Sequence, residues 1–541
     1  MPVSNELLRC DAWHQLASEA DRMGRAKFHL RNLVMEEQRL ERFSLKGGGI
    51  FYDFSRQRVD QFVMRLLWEL GVCRNLQAGF QAMVRGEIVN RTENRAALHT
   101  ALRSFSDLPV HIAGQDVMPE IRRVRDQICR FSQEVHSGRI TGSTGKPFRD
   151  IVAVGIGGSY LGTQFAASAL EARALKGMRL HYLSNVDIDN FGQIVSDIDP
   201  EATLWIIISK SYTTSETTAN THQATEFMRE KGLDPARHFV TVTSKGSPGD
   251  DPANPVLQSF HMFDFIGGRY SVSSAVGGVP LSLYLGYECF ERFLKGAEEM
   301  DIHAATTPAE RNIPMNAALL SIWNNNFLKY PAQGIIPYAA SLSRLAPHVQ
   351  QLYMESNGKS VTASAQPIEC DTGIIVFGEP GTNAQHSFFQ LAHQGRPFPI
   401  DFIGAISPCH DRFRTQSKGV TNHQELWANL LSQPMALAVG RDSKDPARHF
   451  SGNRPSSTLI LDDLSPENIG RLLSFYEART VFEAFVWGIN PFDQFGVELG
   501  KTLASDIRRE MAEKNRDPEH RFDAAHPIVR AYLDMLFSEK R

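Results

Sequence analysis

The segment Leu204-Trp-Ile-Ile-Ile-Ser-Lys-Ser-Tyr-Thr-Thr-Ser-Glu-Thr-Thr218 joins an apolar run directly to a loop rich in hydroxyl groups. The β-branched residues at 206–208 predict a strand, and residues 214–226 predict a helix. The loop therefore ends at a helix N-terminus, where free N–H groups and partial positive charge favour an anion. An ordinary Ser/Thr-rich helix cap is the alternative. The polar groups that would cradle a phosphate dianion are Ser209, Lys210, Ser211 and Thr214.

The segment Asp150-Ile-Val-Ala-Val-Gly-Ile-Gly-Gly-Ser-Tyr-Leu-Gly162 repeats this design with a glycine loop between an apolar strand and a helix. Gly157 and Gly158 let the backbone approach a ligand closely. Ser159 is expected to cap the following helix and to donate to the same anion. Two such loops in one domain strengthen the prediction of a phosphate site.

A dinucleotide-binding loop is the alternative for the second segment. Gly155 and Gly157 satisfy two positions of the Gly-x-Gly-x-x-Gly pattern, but Tyr160 occupies the third. Asp187 is the acidic residue that keeps a nicotinamide cofactor in consideration. The defective pattern disfavours this alternative.

Composition excludes several classes of protein. The chain has 541 residues, 42% of them hydrophobic, and a net charge of -4, so it is long enough for two or three domains and shows no preference for nucleic acid or an anionic membrane. Its six cysteines lack metal-ligand spacing, so no metal site is predicted. We find no secretory signal or membrane-spanning run and expect a cytoplasmic protein.

Strand and helix patterns alternate along most of the chain, which predicts an α/β fold with two doubly wound, mainly parallel sheets. Residues 1–115 look mainly helical, with a short strand or turn at 45–55, and the charged tail looks helical. Strands are predicted at 151–154, 180–183, 204–208 and 238–242, and again at 334–338, 374–377, 400–405 and 435–439. The local rhythm of 151–159 returns faintly at 374–382.

His386 and Glu355 are candidates for moving protons. His386 follows Thr382, which with Gln385 resembles a capping box, so the histidine is expected in the first turn of a helix whose dipole favours a neutral ring. Glu355 precedes Ser-Asn-Gly, a turn signal, and apolar neighbours such as Met354 would make its carboxylate a stronger base. A packing histidine and an exposed turn glutamate are the alternatives.

Two cations are further candidates. Arg269 follows two glycines, which allow its permanently charged guanidinium to approach a ligand, although a surface turn would explain it equally well. Lys501 is expected in the third turn of a helix that Asp493 caps, and an ion pair with Glu498 is the alternative.

Taken together, these segments resemble the glucose-6-phosphate isomerase (phosphoglucose isomerase) family, in the family's order and over most of the chain. The resemblance also includes Arg91-Thr-Glu-Asn-Arg-Ala-Ala-Leu-His-Thr-Ala-Leu-Arg103. It implies two sugar-isomerase (SIS-type) domains at 118–290 and 291–510. A helical N-terminal region at 1–117 would pack on the second domain, and residues 511–541 would form a helical tail.

The resemblance implies reversible isomerisation of glucose 6-phosphate and fructose 6-phosphate through an enediol or enediolate, in glycolysis and gluconeogenesis. It assigns the general base to Glu355, ring opening to His386 with Lys501 nearby, and oxyanion stabilisation to Arg269. It implies no cofactor and a homodimer that shares its active sites, with His386 as the residue lent to the partner. Substrate contacts fall on Gly158, Ser159, Ser209, Lys210, Ser211, Thr214 and Gln351, with Gln494 and Glu216 as weaker candidates.

Small departures from the family occur at Ser211, where threonine is frequent, and at Ser215, where glutamine is frequent. Both keep polarity, so they bear only on substrate affinity. Two rival functions stay open at this point. One is a sugar-phosphate sensor that has lost catalysis, and the other is the nicotinamide-dependent oxidoreductase.

Overall fold

The chain divides into two compact units, residues 1–492 and 493–541, and the computed structural model describes residues 6–538. The strands are β1 Ser44–Gly47, β2 Ile50–Arg56, β3 His111–Ile112, β4 Gln115–Asp116, β5 Asp150–Val154, β6 Arg179–Leu183, β7 Thr203–Ile208, β8 Phe239–Ser244, β9 Gln258–Met262, β10 Ala332–Pro337, β11 Ile375–Phe377, β12 Ile400–Ala405, β13 Gln416–Ser417, β14 Val420–Thr421 and β15 Ser456–Leu461.

The helices are α1 Asp11–Met23, α2 Leu30–Leu33, α3 Arg39–Arg42, α4 Gln61–Cys73, α5 Leu76–Val84, α6 Met118–His136, α7 Leu161–Ala169, α8 Ile188–Asp197, α9 Ser215–Glu230, α10 Ala275–Leu285, α11 Tyr287–Thr306, α12 Ile313–Ile322, α13 Leu345–Gln350, α14 Gly381–Gln385, α15 Phe389–Gln394, α16 Asn422–Val439, α17 Pro466–Trp487, α18 Glu498–Arg516 and α19 Pro527–Phe537. Among the helices at residues 6–538, none combines the length and the apolar character that a membrane crossing requires.

The first sheet is entirely parallel, in the order β6-β5-β7-β8-β9. All six residues of β7 are buried, as expected for a central parallel strand covered on both faces. Side chains alternate between the faces: Ile206 packs with α6 and α10, whereas Trp205 packs with α8 and α9. After β5 the chain adds β6 on one side and then β7 on the other, so the switch point lies between β5 and β7.

The second sheet has the order β1-β2-β15-β12-β10-β11. Four of its six strands, β11, β10, β12 and β15, are parallel. From the edge of the sheet inward, these four strands have the same relative order along the chain (second, first, third, fourth) as β6, β5, β7 and β8 in the first sheet. The N-terminal hairpin β1–β2 completes the sheet by antiparallel pairing of β2 with β15. Phe402 packs toward α15 and α16, and Ile403 packs on the opposite face, toward the buried helix α17.

These sheets confirm the predicted α/β fold with two mainly parallel sheets, and the short strand expected at 45–55 forms the hairpin β1–β2. One predicted strand is wrong. Residues 435–439 form the end of α16, because the capping box of Thr421 and Gln424 starts a helix that continues through Pro434. Two strands of the two large sheets, β9 and β15, were not predicted from the sequence, nor were the two short hairpins β3–β4 and β13–β14.

The faint repeat between 151–159 and 374–382 does not mark equivalent positions. The first segment contains β5, the first strand of its sheet along the chain, whereas the second contains β11, the fourth strand of its own sheet along the chain and the second of that sheet's parallel strands. The equivalence between the two sheets therefore lies in their strand order rather than in this local motif.

The second unit is helical. It contains α18 and α19, which are separated near Pro518 as the proline pattern indicates. The side chain of His520 lies 3.1 Å from Glu510 Oε2, so the turn after α18 folds back onto that helix.

Candidate active site

The two predicted phosphate loops lie side by side at the carboxyl edge of the first sheet. They follow the adjacent strands β5 and β7 at the switch point, which is where open α/β sheets bind ligands. A Cβ atom built on Gly155 would lie 3.1 Å from the carbonyl oxygen of Ile208. The end of β7 therefore touches the first residue of the loop that follows β5. We call the two loops together the phosphate cradle (residues 155–160 and 209–214).

Gly158 brings the cradle against the segment that carries Arg269. A Cβ atom at Gly158 would lie 2.2 Å from the carbonyl carbon of Gly268 and 2.7 Å from the Arg269 nitrogen. The Ser271 hydroxyl donates to the carbonyl oxygen of Gly158 at 3.2 Å. Only glycine fits at position 158, and the contact fixes Arg269 beside the cradle.

The sequence predicted that Ser159 caps α7, and this prediction is wrong. Ser159 closes a 3-10 turn at Gly157–Ser159, and Tyr160 is the N-cap residue of the helix. The Ser159 hydroxyl makes no hydrogen bond to another residue of the described part. It is therefore available for hydrogen bonding to solvent or to a ligand.

The second loop is held by its own side chains. The backbone N–H of Tyr212 donates to the buried Ser209 hydroxyl at 3.1 Å, and the hydroxyls of Ser211 and Thr213 lie 2.7 Å apart. Tyr212 has a positive φ of 56°, a conformation that costs a non-glycine residue roughly 1–3 kcal/mol. The loop therefore holds a strained shape before any ligand binds.

The other predicted residues of this loop stand at the start of α9. Thr214 is its N-cap residue without a side-chain capping bond, so the hydroxyl does not occupy the helix N–H groups. Glu216 lies in the first turn of the helix and is half-buried.

Lys210 ties the cradle to the segment before Arg269. Its ammonium donates to the carbonyl oxygens of Asp264 at 3.0 Å and of Ile266 at 3.2 Å. Burial lowers the pKa of Lys210. The lysine therefore positions the loop as well as adding charge to it.

Arg269 and Glu355 face each other beside the cradle. Arg269 Nη1 lies 3.3 Å from Glu355 Oε2, and the arginine side chain is 1% exposed whereas that of Glu355 is 19% exposed. Arg269 Nε donates to the Ser356 hydroxyl at 2.6 Å and Nη2 donates to the carbonyl oxygen of Pro491 at 2.5 Å. The guanidinium is thus fixed on several sides.

Gln351 lies between the cradle and Glu355. Its Nε2 donates to Glu355 Oε2 at 3.2 Å and lies 3.1 Å from a Cβ atom built on Gly157, where φ is 58°. Its Oε1 is buried without a hydrogen-bond partner. An unpaired buried acceptor is costly, so this oxygen can accept a hydrogen bond from a ligand or a water molecule.

Glu355 closes a π-helical turn, Gln351–Glu355, that continues from α13. Residues 356–357 are still helical, so the chain leaves the helix later than the Ser-Asn-Gly turn signal predicts. Met354 is 41% exposed and does not bury the Glu355 carboxylate, contrary to the prediction. The Arg269 guanidinium and the Gln351 amide lie beside this carboxylate instead. Single π-turns inside helices are frequent at functional sites.

A buried polar network anchors this π-turn. The Tyr353 hydroxyl donates to Glu483, which also accepts from Arg479 Nε at 2.9 Å. Arg479 Nη1 donates to Asp401 of β12 at 2.6 Å. The segment that carries Glu355 is therefore fixed to the second sheet and to α17.

Sequence reasoning missed the support behind Arg269. Ser356 accepts from Arg269 and lies 3.1 Å from the Tyr270 hydroxyl. The ring of His99 lies 4.8 Å from that of Tyr270, and burial holds the pKa of His99 well below its ordinary value. Both Ser356 and His99 lie inside the segments quoted above, but no local signal assigns them these contacts.

His386 is exposed and lies at the end of a helix, not in its first turn. Pro380 is the N-cap residue of the short helix α14, and Gln385 Nε2 donates to the Tyr338 hydroxyl instead of closing a capping box. No described contact joins His386 to Arg269 or Glu355 of the same chain.

Lys501 and Gln494 belong to the unit formed by residues 493–541. The predicted cap at Asp493 is wrong, because a 3-10 turn at Phe495–Val497 comes first and Val497 is the N-cap residue of α18. Lys501 is exposed and lies in the first turn of α18, not in the third turn as predicted, because the helix begins only at Glu498.

Within residues 6–538, no group of three or more His, Cys, Asp or Glu side chains is arranged to hold a metal ion. The cradle offers hydroxyls and a helix N-terminus, Arg269 and Gln351 supply donors, and Glu355 supplies a carboxylate that remains partly accessible. This set can bind a phosphorylated small molecule and exchange a proton with it.

Comparison with known proteins gives consistent matches over almost the whole chain. The model of a family described as phosphoglucose isomerase matches residues 53–526. A glucose-6-phosphate isomerase of Desulfosudis oleivorans is 64% identical over 540 residues, with 99% of each chain covered. A cytosolic glucose-6-phosphate isomerase of Arabidopsis thaliana is 42% identical over 533 residues, with 94% of each covered. A crystal structure of a glucose-6-phosphate isomerase from Chlamydia trachomatis has a TM-score of 0.89 and 37% identity, and covers 98% of this chain and 99% of that chain.

Proposed function

This chain belongs to the phosphoglucose isomerase family, and from that premise we propose that it is an aldose-ketose isomerase that interconverts D-glucose 6-phosphate and D-fructose 6-phosphate in glycolysis. The observation that carries the proposal is the position of Glu355, which Gln351 and Arg269 link to the phosphate cradle. The same reaction serves gluconeogenesis in the reverse direction.

The phosphate supplies binding energy and does no chemistry. The hydroxyls of the cradle and the N-terminus of α9 hold the dianion, while Lys210 keeps the second loop in place. Binding at this remote group positions the sugar carbons beside Glu355. The unpaired Gln351 Oε1 accepts a hydrogen bond from a sugar hydroxyl.

Glu355 transfers the proton between carbons C2 and C1 of the sugar. In the open-chain aldose its carboxylate removes the C2 proton, the electron pair forms the C1–C2 double bond, and the carbonyl oxygen on C1 becomes an oxyanion. Glu355 then returns the proton to C1, and transfer of a proton from the C2 hydroxyl to the C1 oxygen leaves the ketone at C2.

Arg269 stabilises the oxyanion. Its guanidinium is permanently charged, 1% exposed and held in place by Ser356 and the carbonyl of Pro491. A preorganised donor of this kind contributes on the order of 3 kcal/mol. Without it a carboxylate is too weak a base for a sugar C–H bond.

Ring opening requires a second proton-transferring group, which we assign to His386 with Lys501. His386 is exposed and makes no described contact with the Glu355 site of its own chain. We therefore propose a homodimer in which His386 of one chain completes the active site of its partner. The cytoplasm is the proposed location.

The substrate contacts proposed for this reaction are Gly158, Ser159, Ser209, Lys210, Ser211, Thr214 and Gln351, with Gln494 and Glu216 as weaker candidates. We further propose that residues 118–290 and 291–510 are SIS-type domains, flanked by an N-terminal region at 1–117 and a tail at 511–541.

The test is conversion of fructose 6-phosphate by the purified full-length chain in D2O. The expected products are glucose 6-phosphate and substrate that carries deuterium at the exchanged carbon. Glu355→Gln should abolish both conversion and exchange yet still bind fructose 6-phosphate by calorimetry, and the exposed Glu230→Gln serves as the control. Binding without conversion by the wild-type chain would favour a sugar-phosphate sensor and refute the proposal.

A further inference from the structure

The second sheet has a switch point of its own. Strands β11, β10, β12 and β15 repeat the chain order of the first four strands of the other sheet, so β10 and β12 correspond to β5 and β7. Ligands of open α/β sheets bind outside the carboxyl ends of the strands at such a point. Nothing in the proposed isomerisation uses this position.

A cavity of about 580 Å³ lies there, which we call the second-sheet cavity. Its lining includes Ser341 after β10, Ser407 and His410 after β12, and His423 in the first turn of α16. Small side chains such as Ala340 and Ala405 keep it open. The volume is within the range of about 300–1,000 Å³ that small-molecule sites occupy.

The polar groups of the second-sheet cavity are available to a ligand. In the part of the chain that the structure describes, the hydroxyls of Ser341 and Ser407 and the ring of His410 make no hydrogen bond to another residue. His423 Nε2 lies 2.8 Å from the carbonyl oxygen of Ile406 and 3.1 Å from the indole Nε1 of Trp427. When Nε2 donates to the Ile406 oxygen, Nδ1 carries a proton for a ligand only in the imidazolium form of the ring.

The chemistry of these groups favours an anion with several acceptor oxygens. The two hydroxyls and the His410 ring can donate, and so can Nδ1 of a protonated His423, which stands at the N-terminus of an eighteen-residue helix whose partial positive charge favours negative groups. The carboxylate of the exposed Glu171 also lines the cavity and opposes an anion. A phosphate group has the number of oxygens and the charge that this set of donors accommodates.

We propose that the second-sheet cavity is a second phosphate site, which binds inorganic phosphate or the phosphate group of a small phosphate monoester. It is separate from the phosphate cradle, since it lies on the other sheet and shares no residue with it. The proposal goes beyond the isomerase activity and does not depend on it.

Cys409 provides a reporter, because it lines the cavity and is exposed, whereas the exposed Cys73 belongs to α4. The experiment measures alkylation rates of both thiols by N-ethylmaleimide in the full-length protein, by peptide mass spectrometry. The additions are inorganic phosphate, glycerol 2-phosphate, glycerol, and sodium chloride at matched ionic strength. For a dissociation constant of about 5 mM, about 10 mM phosphate should slow alkylation of Cys409 about threefold and leave Cys73 unchanged.

The two phosphate additions distinguish the sources. Protection by inorganic phosphate alone assigns the site to the free ion, and protection by glycerol 2-phosphate as well assigns it to monoesters. Equal protection by glycerol, or equal slowing at Cys73, would refute a phosphate site.

Variants locate the effect. Ser407→Ala combined with His423→Gln should remove the protection of Cys409, while Glu171→Gln should increase it because a repulsive charge is lost. Ser159→Ala weakens only the phosphate cradle and should leave the protection intact. Protection that survives in the double variant, or that disappears in Ser159→Ala, would overturn the proposal.

Discussion

Arg269 is oriented toward Glu355 by partners on either side of it. One guanidinium nitrogen lies 3.3 Å from the carboxylate, while two others donate to the Ser356 hydroxyl and the Pro491 carbonyl. In the proposed mechanism, the bonds to Ser356 and Pro491 would hold the cation while Glu355 is protonated. The positive charge would then be in place for the oxyanion without any movement of the side chain.

Arg269→Lys tests this orientation. Lysine keeps the charge, but its single nitrogen cannot occupy the separate positions from which Arg269 Nε, Nη2 and Nη1 reach Ser356, Pro491 and the site of Glu355. We expect kcat to fall about 100-fold while KM for fructose 6-phosphate changes less than about threefold. Steady-state kinetics measure both, with the exposed Arg229→Lys as control. A near-normal kcat would show that charge alone suffices.

Gly158→Ala tests the contact between the cradle and the Arg269 segment. The added methyl would lie 2.2 Å from the Gly268 carbonyl carbon, so one of the two segments must move. We expect kcat/KM to fall by about 100-fold or more, since misplacement of about 1 Å has that effect. The matched control is Gly192→Ala in α8, where a Cβ atom meets nothing within 4 Å. If both variants retain full activity, the close contact has no catalytic importance.

His348→Phe tests the pH dependence of stability. Burial lowers the pKa of His348 from 6.5 to about 4, and its ring stacks on Phe165 at 5.7 Å. Below pH 6.5 the unfolded chain binds a proton that the folded chain excludes, so stability from this group is full above pH 6.5 and declines as the pH falls toward 4.

His348 is expected to account for about 2 kcal/mol of the decrease in the free energy of unfolding between pH 7.5 and pH 5. Urea unfolding at the two pH values should show a smaller loss for His348→Phe than for the wild type by that amount. The exposed His222→Gln should behave as the wild type. An identical loss in His348→Phe would mean that the histidine is not neutral in the fold.

Mixed dimers test the sharing of active sites. His386→Ala and Glu355→Gln chains should each be inactive alone. After unfolding and refolding together, random pairing should restore about one quarter of wild-type activity, because half of the dimers are mixed and each has one intact site. The mixture is assayed once native mass spectrometry has verified subunit exchange. Activity that stays at the level of the separate variants would place His386 in the site of its own chain.

The central strands β5, β7 and β8 of the first sheet were predictable because central parallel strands are continuous apolar runs. The run at 435–439 was misassigned because Ala and Leu suit a helix as well as a strand, and the capping signal that decides it lies fourteen residues earlier at Thr421. Strand β15 escaped because it begins Ser-Ser-Thr, and only its later residues are apolar.

The site was predictable where function depends on local motifs, as in the two loops of the cradle. Contacts that join distant segments were not. Ser356 supports Arg269 across 87 residues, and Gln351 meets Gly157 only because the two sheet-bearing regions pack together. The π-turn under Glu355 also has no local sequence signal, since buried partners such as Glu483 anchor it.

The hairpin β1–β2 pairs with β15, and the Tyr52 hydroxyl bonds Ser457 across 405 residues. A ribosome that adds about 5–20 residues per second needs roughly 20–80 s between these two strands. During that time the nascent hairpin has an open hydrogen-bonding edge and no native neighbour, which invites pairing with other chains. During synthesis, the edge of β2 therefore waits for the last strand of its sheet, and a chaperone that covers this edge would lower the risk of aggregation.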